Sequence, residues 1–267
     1  MKSYNTEFFE KRAAAYGITL SEHQLWQFMK YYELLTEWNS FMNLTAITEF
    51  DEVILKHFLD SITLGHAFSV FEENVKKSEC SSEHCDGKES LKKDLFTGKE
   101  KLIDIGTGAG FPGIPLKIVY PDMQITLLDS LNKRVQFLDT VIAQLGLSGI
   151  ETIHGRAEDF SKPGKLREQY DLCVSRAVAN LSTLSEYCLP YVKVGGYFVP
   201  YKSEKTKEEI HAAQKAVRIL GGEIEGQAEF CLADTDIYRN LIFICKREKT
   251  PGKYPRKSGL PAKEPIT

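Results

Sequence analysis

The sequence lacks any long hydrophobic run. Across its 267 residues, no apolar stretch approaches the roughly 18 residues that a membrane-spanning helix needs. The first 17 residues are polar and charged, without the apolar centre that a secretory signal peptide contains. We therefore expect no membrane association and a cytoplasmic location.

A large excess of positive charge is also missing. The chain has 34 Lys and Arg residues against 37 Asp and Glu residues, a formal net charge of −3. Any contact with nucleic acid therefore has to be local. Residues 246–267 form a basic segment with seven Lys or Arg and two Glu. Four of the ten prolines follow Lys246, so we expect residues 248–267 to be a basic, Pro-rich tail without a packed element.

Cysteine is scarce, with six residues in the chain. In a cytosolic protein of this size they are expected to be reduced thiols. Four of them lie in apolar runs and are predicted to be small core residues: Cys173, Cys188, Cys231 and Cys245. The other two, Cys80 and Cys85, lie in a charged stretch without the ligand spacing of a zinc site, so no metal is expected.

The composition, with 42% apolar and 27% charged residues, is that of an ordinary globular protein. Residues 1–71 are predicted to be a helical N-terminal region. Ser21 and Gln24 fit a capping box, and apolar residues recur at spacings of three and four from Leu25 to Trp38. Residues 72–100 hold eight acidic and six basic residues without an apolar period, which predicts a charged flexible insertion.

From Lys101 onward, short apolar strands alternate with helical segments. This alternation predicts an α/β domain over residues 101–247, with a mostly parallel sheet covered on both faces. The last two predicted strands, residues 223–232 and 240–246, follow each other without a helix between them. We therefore expect that pair to be antiparallel.

The most informative segment runs from Leu102 to Gly113, where a predicted strand is followed by Gly106, Gly108 and Gly110 and then by a helix. Glycines in this context let a ligand approach the backbone closely. Asp129 ends the next strand, 19 residues after Gly110, where a carboxylate can accept the hydroxyls of a ribose. A dinucleotide and S-adenosylmethionine (SAM) both fit this pattern. Asp104, directly before the glycines, favours a ligand with an ammonium or sulfonium group.

These segments resemble the bacterial 16S ribosomal RNA (guanine-N7)-methyltransferases, the glucose-inhibited division protein B or RNA methyltransferase G type. The matching positions are Asn43 to Thr45, His57 with Asp60 and Ser61, Asp104 to Pro115, Leu127 to Ser130 with Lys133 and Arg134, Arg156 to Glu158, Ser175 to Ala177, Lys202, and Tyr254 to Gly259. The resemblance implies a class I SAM-dependent methyltransferase fold. Such a fold is Rossmann-like, with a mostly parallel seven-stranded sheet, an antiparallel last strand pair and, here, a small helical N-terminal extension.

The resemblance also implies a cofactor, a substrate and a set of site residues. SAM would be lined by Gly106, Phe111, Ala157, Glu158 and Arg176, beside the residues already singled out: Asp104, Gly108, Gly110 and Asp129. The implied substrate is N7 of a guanosine in the helix 18 loop of 16S rRNA, presented naked or in the small ribosomal subunit. We expect a monomer whose insertion, residues 72–100, points away from this site.

Guanine N7 carries a lone pair and no proton, so its methylation requires no catalytic base and depends on alignment. Methylation of an exocyclic amine usually uses an Asn/Asp-Pro-Pro-aromatic turn after the fourth strand, and methylation of a pyrimidine carbon uses a cysteine. Here that strand is followed by Arg176, and Cys173 is predicted to be core. The pattern favours a ring nitrogen as acceptor, with Arg176 as the candidate that positions substrate or cofactor.

Basic residues are candidates for RNA contacts: His57, Lys133, Arg134 and Lys202. Lys253, Arg256 and Lys257 of the tail are further candidates, which we expect to lie outside the SAM cleft and to contact phosphates without taking part in the chemistry. His57 and Asp60 are one helical turn apart, so a structural pair between them is an equal alternative. Two other functions remain open from the residues alone. One is a small-molecule methyltransferase, and the other is a non-catalytic SAM-binding module associated with the ribosome.

Overall fold

The computed structural model describes residues 4–80, 95–176, 179–203 and 206–267. Its N-terminal part is helical, as the periodicity predicts. The helices are α1 (Glu7–Ala14), α2 (Glu22–Met42), α3 (Phe50–Val53), a π-helical turn (Ile54–Leu59), α4 (Asp60–Ile62) and α5 (Leu64–Cys80). The predicted capping box is present at the start of α2, where the Ser21 hydroxyl accepts the Gln24 amide and the Gln24 side chain accepts the Ser21 amide.

Strands and helices alternate from Lys101, also as predicted. The strands are β1 (Lys101–Ile105), β2 (Gln124–Asp129), β3 (Ile150–His154), β4 (Tyr170–Ser175), β5 (Val192–Lys202), β6 (Gly222–Cys231) and β7 (Tyr238–Lys246). The helices between and after them are α6 (Gly113–Val119), α7 (Asn132–Gln144), α8 (Ala157–Phe160), α9 (Leu181–Cys188), α10 (Lys207–Ile219) and α11 (Leu260–Lys263), with a 3₁₀ turn at Leu189–Tyr191.

The seven strands form one sheet in the order β3-β2-β1-β4-β5-β7-β6. The pairs among β1 to β5 are parallel, and β7 is antiparallel to both of its neighbours, β5 and β6. This topology confirms the expected class I methyltransferase fold. The strand order reverses between β1 and β4, and ligands of open α/β sheets bind in the crevice at the carboxyl ends of strands at such a point.

The N-terminal helices cover one face of the sheet and share its hydrophobic core. Phe9, Phe28 and Phe58 belong to the same buried cluster as Leu127 and Leu138 of the α/β part. A second buried cluster on the opposite face includes residues of α9 and α10. The helical region and the sheet therefore bury their apolar surfaces against each other and stabilise each other.

Two expectations from the sequence need correction. The helical region does not end at residue 71, because α5 continues to Cys80 and Val75 packs on the core. Residues 81–94 of the predicted insertion lie outside the described residues, and Phe96 at its far end packs against Phe68 and Tyr120. The C-terminal tail does form a packed element, since it contains α11 with Pro261 buried.

In the described ranges, no helix is both long and apolar enough to cross a membrane. Three of the four cysteines predicted to be core, Cys173, Cys188 and Cys245, are buried. Cys231 is exposed, because it lies at the end of β6, on the edge of the sheet.

Candidate active site

The glycine loop lies at the switch point of the sheet, between β1 and α6. Gly106, Gly108 and Gly110 all have positive φ angles, of +71°, +62° and +98°. A Cβ at Gly108 would meet nothing closer than 4.0 Å, whereas one at Gly110 would lie 2.6 Å from the Tyr31 hydroxyl. Gly108 therefore leaves open space for a ligand, and Gly110 permits close packing of the loop against α2.

Asp104 lies beneath this loop and is fully buried. Its Oδ2 atom accepts hydrogen bonds from the Thr107 hydroxyl at 2.7 Å and from the Gly113 amide at 3.0 Å. Its Oδ1 atom has no hydrogen-bond partner among the described residues. Burial raises the pKa of Asp104 to about 7, although the two hydrogen bonds act in the opposite direction. An unpaired carboxylate oxygen in such a place is a ready partner for a cationic ligand group.

Asp129 is on the other side of the loop, at the end of β2, and is 2% exposed. Its two carboxylate oxygens accept the amides of Gly108 and Leu131, each at 2.9 Å. Arg134 approaches Oδ2 at 3.5 Å. Asp129 thus fixes the loop and the start of α7 together, and its Oδ1 atom, which accepts one hydrogen bond, retains a lone pair for a further donor.

Ala157 and Glu158 begin α8, directly after β3. The Gly155 amide donates to the Asp129 carbonyl at 3.0 Å, which brings the start of α8 to the same edge of the sheet. Glu158 is 4% exposed, and its Oε1 atom accepts the Gly259 amide of the tail at 2.7 Å. The structure therefore brings Asp104, the glycine loop, Asp129 and α8 together along the carboxyl ends of β1, β2 and β3.

Arg176 directly follows β4 and is held by the N-terminal helices. Its guanidinium donates to the Lys56 carbonyl, to Asp60 Oδ2 and to His57 Nδ1, at 3.1, 3.1 and 2.9 Å. It also lies over the ring of Phe111, and that ring stacks on His57 with the ring centroids 4.6 Å apart. The buried Phe111 side chain thus serves packing, and Arg176 has one fixed orientation.

His57 is buried and neutral. Because a guanidinium can only donate, His57 Nδ1 accepts from Arg176, and Nε2 therefore carries the hydrogen that faces the Thr45 hydroxyl at 2.8 Å. Burial, followed by the positive charge of Arg176, lowers the pKa of His57 to about 3. The sequence left open whether His57 and Asp60 form a structural pair or contact the substrate. In the structure both residues make structural contacts, and each accepts a hydrogen bond from Arg176.

A cleft of about 600 Å³ lies beside Arg176, at the carboxyl ends of β4 and β5. Asp60, Arg239 and Lys202 contribute to its lining, as do residues at the start of α10. Asp60 is 3% exposed and accepts from both Arg176 and Arg239, the latter at 2.6 Å. A volume of this size accommodates a nucleobase.

The remaining RNA-contact candidates are dispersed. Lys133 is exposed at the start of α7, and Lys202 is paired with Glu209 at 2.7 Å and with the Ala179 carbonyl at 3.0 Å. Lys253 and Lys257 are exposed on the tail. Arg256 is different, because its guanidinium binds the buried Glu186 of α9 through both carboxylate oxygens. The prediction of a phosphate contact by Arg256 conflicts with this placement.

Sequence reasoning did not find the partners of these side chains. Arg239 lies at the start of β7, before the apolar run that begins at Leu241, and nothing in the sequence relates it to Asp60. Glu186 has no basic residue one helical turn away on α9, and Arg167, which binds the tail, lies in a loop. Their partners are 70 to 179 residues away in the chain.

Comparison with known proteins gives a consistent result. The family model described as rRNA small subunit methyltransferase G, GidB, matches residues 24–76 and 89–237. A curated relative from Lachnoclostridium phytofermentans, named ribosomal RNA small subunit methyltransferase G, is 50% identical over 250 residues, 94% of this chain and 93% of the relative. A relative of the same name from Clostridium beijerinckii is 45% identical over 266 residues, covering 100% of both chains. The match extends over the glycine loop, Asp129, α8 and Arg176, and the chain belongs to the GidB family, the family of rRNA small subunit methyltransferase G.

Proposed function

We propose that this chain is a SAM-dependent methyltransferase of small-subunit rRNA, and that its acceptor is N7 of a guanosine in the helix 18 loop of 16S rRNA. The observation that carries the SAM assignment is the unpaired, fully buried carboxylate oxygen of Asp104 beneath the glycine loop. The names of the curated relatives support rRNA as the substrate. A substrate of this kind also accords with a cytoplasmic location.

The residues present fit SAM. Asp104 Oδ1 offers a negative partner for the cationic methionine part, and the open space above Gly108 admits the ligand next to the backbone. Asp129, with a lone pair free on Oδ1, is suited to a ribose hydroxyl. Ala157 and Glu158 form the wall beyond Asp129, where the adenine would lie. Gly106 and the Phe111 backbone complete the loop, and Gly110 contributes by allowing it to pack.

When bound, the cofactor supplies an electrophilic methyl group on a sulfonium sulfur. With guanine as the acceptor, the N7 lone pair would form the new bond to the methyl carbon and the carbon–sulfur bond would break, so no residue of the chain would have to take a proton from the base. The chain's task is to hold N7, carbon and sulfur in line and to exclude water. Cys173 does not act as a nucleophile in this scheme, because it is buried in β4 and burial raises the pKa of its thiol well above the ordinary value.

The cleft beside Arg176 is the proposed position of the target guanine. Sequence-specific recognition of RNA usually involves an unstacked base of a single-stranded loop. The cleft adjoins the glycine loop through Arg176 and Phe111, so a base inserted there would meet the methyl group at the carboxyl ends of β1 and β4. Arg176 is fixed by three acceptors and would position the base or the cofactor carboxylate without rearrangement.

The test uses labelled SAM with free guanosine, naked 16S rRNA or isolated small subunits lacking the modification. We expect label in rRNA, and digestion to nucleosides should yield 7-methylguanosine. Asp104→Asn keeps the side-chain volume but loses the negative charge, and it should weaken SAM binding. Thr97→Ala, a change in an exposed residue before β1, serves as the matched control.

The three acceptors separate the competing functions. Label in free guanosine but not in RNA would favour a small-molecule methyltransferase and overturn the RNA proposal. Binding of SAM without transfer to any of the three acceptors would favour a non-catalytic SAM-binding module. Label in rRNA on an atom other than guanine N7 would support rRNA as the substrate and would overturn the proposal that N7 is the acceptor.

A further inference from the structure

The C-terminal tail, residues 248–267, is fastened to the α/β domain at several points. At its start, Arg167 donates to the carbonyl of Tyr254 at 2.8 Å and to that of Thr250. The Thr250 amide in turn donates to Glu168 at 2.8 Å. These bonds turn the chain back from β7 and direct it across α9.

The strongest attachment is the ion pair between Arg256 and Glu186. Glu186 is completely buried on α9, and it accepts the Arg256 backbone amide at 2.8 Å and the guanidinium at 2.6 to 3.1 Å. A buried carboxylate needs such a partner, because an unpaired charge in the interior is strongly unfavourable. The basic character of the tail at Arg256 therefore serves attachment to the protein.

The far end of the tail reaches the proposed cofactor site. The Gly259 amide donates to Glu158 at 2.7 Å, and the Pro261 carbonyl accepts the Thr183 hydroxyl at 3.1 Å. Glu158 belongs to the first turn of α8, which has only four residues and therefore few hydrogen bonds of its own. From the other side, the Tyr191 hydroxyl donates to the Ala157 carbonyl at 2.6 Å. The tail thus supplies one of the contacts that fix this wall.

We propose that the tail is a strap that positions α8 for SAM binding, with Arg256 as the positioning residue that fastens it. The inference rests on the proposed function, in which Ala157 and Glu158 line the cofactor. It differs from the expectation that the tail lies outside the SAM cleft and contacts phosphates only. Detachment of the strap frees the Glu158 carboxylate and loosens α8, which weakens SAM binding without altering the other residues of the site.

The first experiment compares SAM affinity in two full-length variants. Arg256→Ala should raise the dissociation constant for SAM about 5- to 150-fold, the usual range for coupling between two sites. Arg256→Lys, which keeps the charge but not the two-point contact, should lie between wild type and Arg256→Ala. Lys249→Ala is the matched control, because it removes one positive charge from an exposed position of the same tail and should leave SAM affinity unchanged. A thermal unfolding curve for each variant checks that the variant is folded before its SAM affinity is compared.

A second measurement needs no variant and remains decisive if Arg256→Ala does not fold. Coupling between two sites is reciprocal, so saturating SAM should slow amide hydrogen exchange across residues 250–263 of wild type. Unchanged exchange in the tail on SAM binding would overturn the strap, as would wild-type SAM affinity in folded Arg256→Ala. Failure of the proposed function gives a different result, because wild type itself would then not bind SAM or not label rRNA.

Discussion

Asp104 and His57 are both buried, and burial moves their pKa values in opposite directions. The carboxyl group becomes harder to ionise, with its pKa raised to about 7, and the imidazole becomes harder to protonate, with its pKa lowered to about 3. At neutral pH, Asp104 is therefore close to its point of half ionisation, and His57 is uncharged. Each state has a measurable consequence.

Binding of SAM should release protons from Asp104. A cationic ligand next to the carboxylate favours its ionised form and lowers its pKa from about 7, so a fraction of a proton leaves near neutral pH. Calorimetric titration in buffers of different ionisation enthalpy measures this release. Asp104→Asn should abolish the buffer dependence. A wild-type binding enthalpy that is the same in every buffer would contradict the ionic partnership.

The neutral state of His57 should make the fold sensitive to acid. Its pKa in the folded state lies below the ordinary 6.5, so its contribution to stability is complete above pH 6.5 and is lost as the pH falls toward about 3. The loss attributable to His57 between pH 6.5 and 4.5 is about 2 kcal/mol in the free energy of unfolding. Urea denaturation across this range should give a flatter profile for His57→Gln.

The same substitution at His23 provides the comparison for that experiment. His23 is exposed on α2 and stacks on Trp26. His23→Gln should retain the wild-type dependence of stability on pH. If His57→Gln retained it as well, protonation of His57 would not be the source of the acid sensitivity.

At the scale of single elements, the glycine loop contains glycines of two kinds. Gly108→Ala should cost about 1–2 kcal/mol of stability, the strain of a positive φ in a residue with a Cβ. Gly110→Ala should cost more, roughly 2–4 kcal/mol, because its Cβ would also lie 2.6 Å from the Tyr31 hydroxyl and 2.7 Å from Ile114. Urea denaturation of both variants measures the difference. Equal losses would mean that Tyr31 and Ile114 move aside without cost.

Elements that depend on local signals could be predicted from the sequence. The strands β1, β2 and β4 are apolar runs bounded by turn residues, and Ser21 with Gln24 marks the start of α2. The extent of α5 could not be predicted, because residues 72–77 are mostly charged and, among these six, Val75 alone is a hydrophobic residue packed on the core. The prediction for the tail was wrong for a related reason. Its prolines suggest irregular chain, and its attachments are to Glu186 and Glu158, whose burial only the tertiary structure reveals.

One part of the candidate site could be predicted from the order of strands and loops, and another part only from the family resemblance. Asp104, Asp129 and the glycines follow from the order strand, loop, helix, because the carboxyl ends of parallel strands meet at one edge of the sheet. Arg176 and His57 followed only from the family resemblance. The contacts of Arg176 with His57 and with Asp60, and the pairing of Asp60 with Arg239, join segments that are far apart in the chain. No periodicity or spacing encodes such pairs.

At the scale of the whole molecule, two exposed tail lysines remain candidates for phosphate contacts. Lys253 and Lys257 point outward while Arg256 between them is bound to Glu186. Lys253→Ala combined with Lys257→Ala should flatten the slope of log affinity against log salt for RNA by about 1–2 units. RNA binding across a salt series checks this. The pair Lys76→Ala and Lys99→Ala, two exposed lysines outside the tail, should leave the slope unchanged; equal slopes in all three proteins would exclude a role for the tail lysines.

The position of β7 in the sheet has a consequence for how the chain is made. β7 is the last strand in sequence, yet it lies between β5 and β6 and pairs with both. Proteins are synthesised from the N-terminus, and early segments begin to fold first. While β7 is still enclosed by the translating ribosome, β6 has no strand to join and the sheet ends at β5. The sheet is therefore completed only after β7 has left the ribosome, and a message truncated before Tyr238 produces a chain that leaves both the edge of β5 and the whole of β6 unpaired.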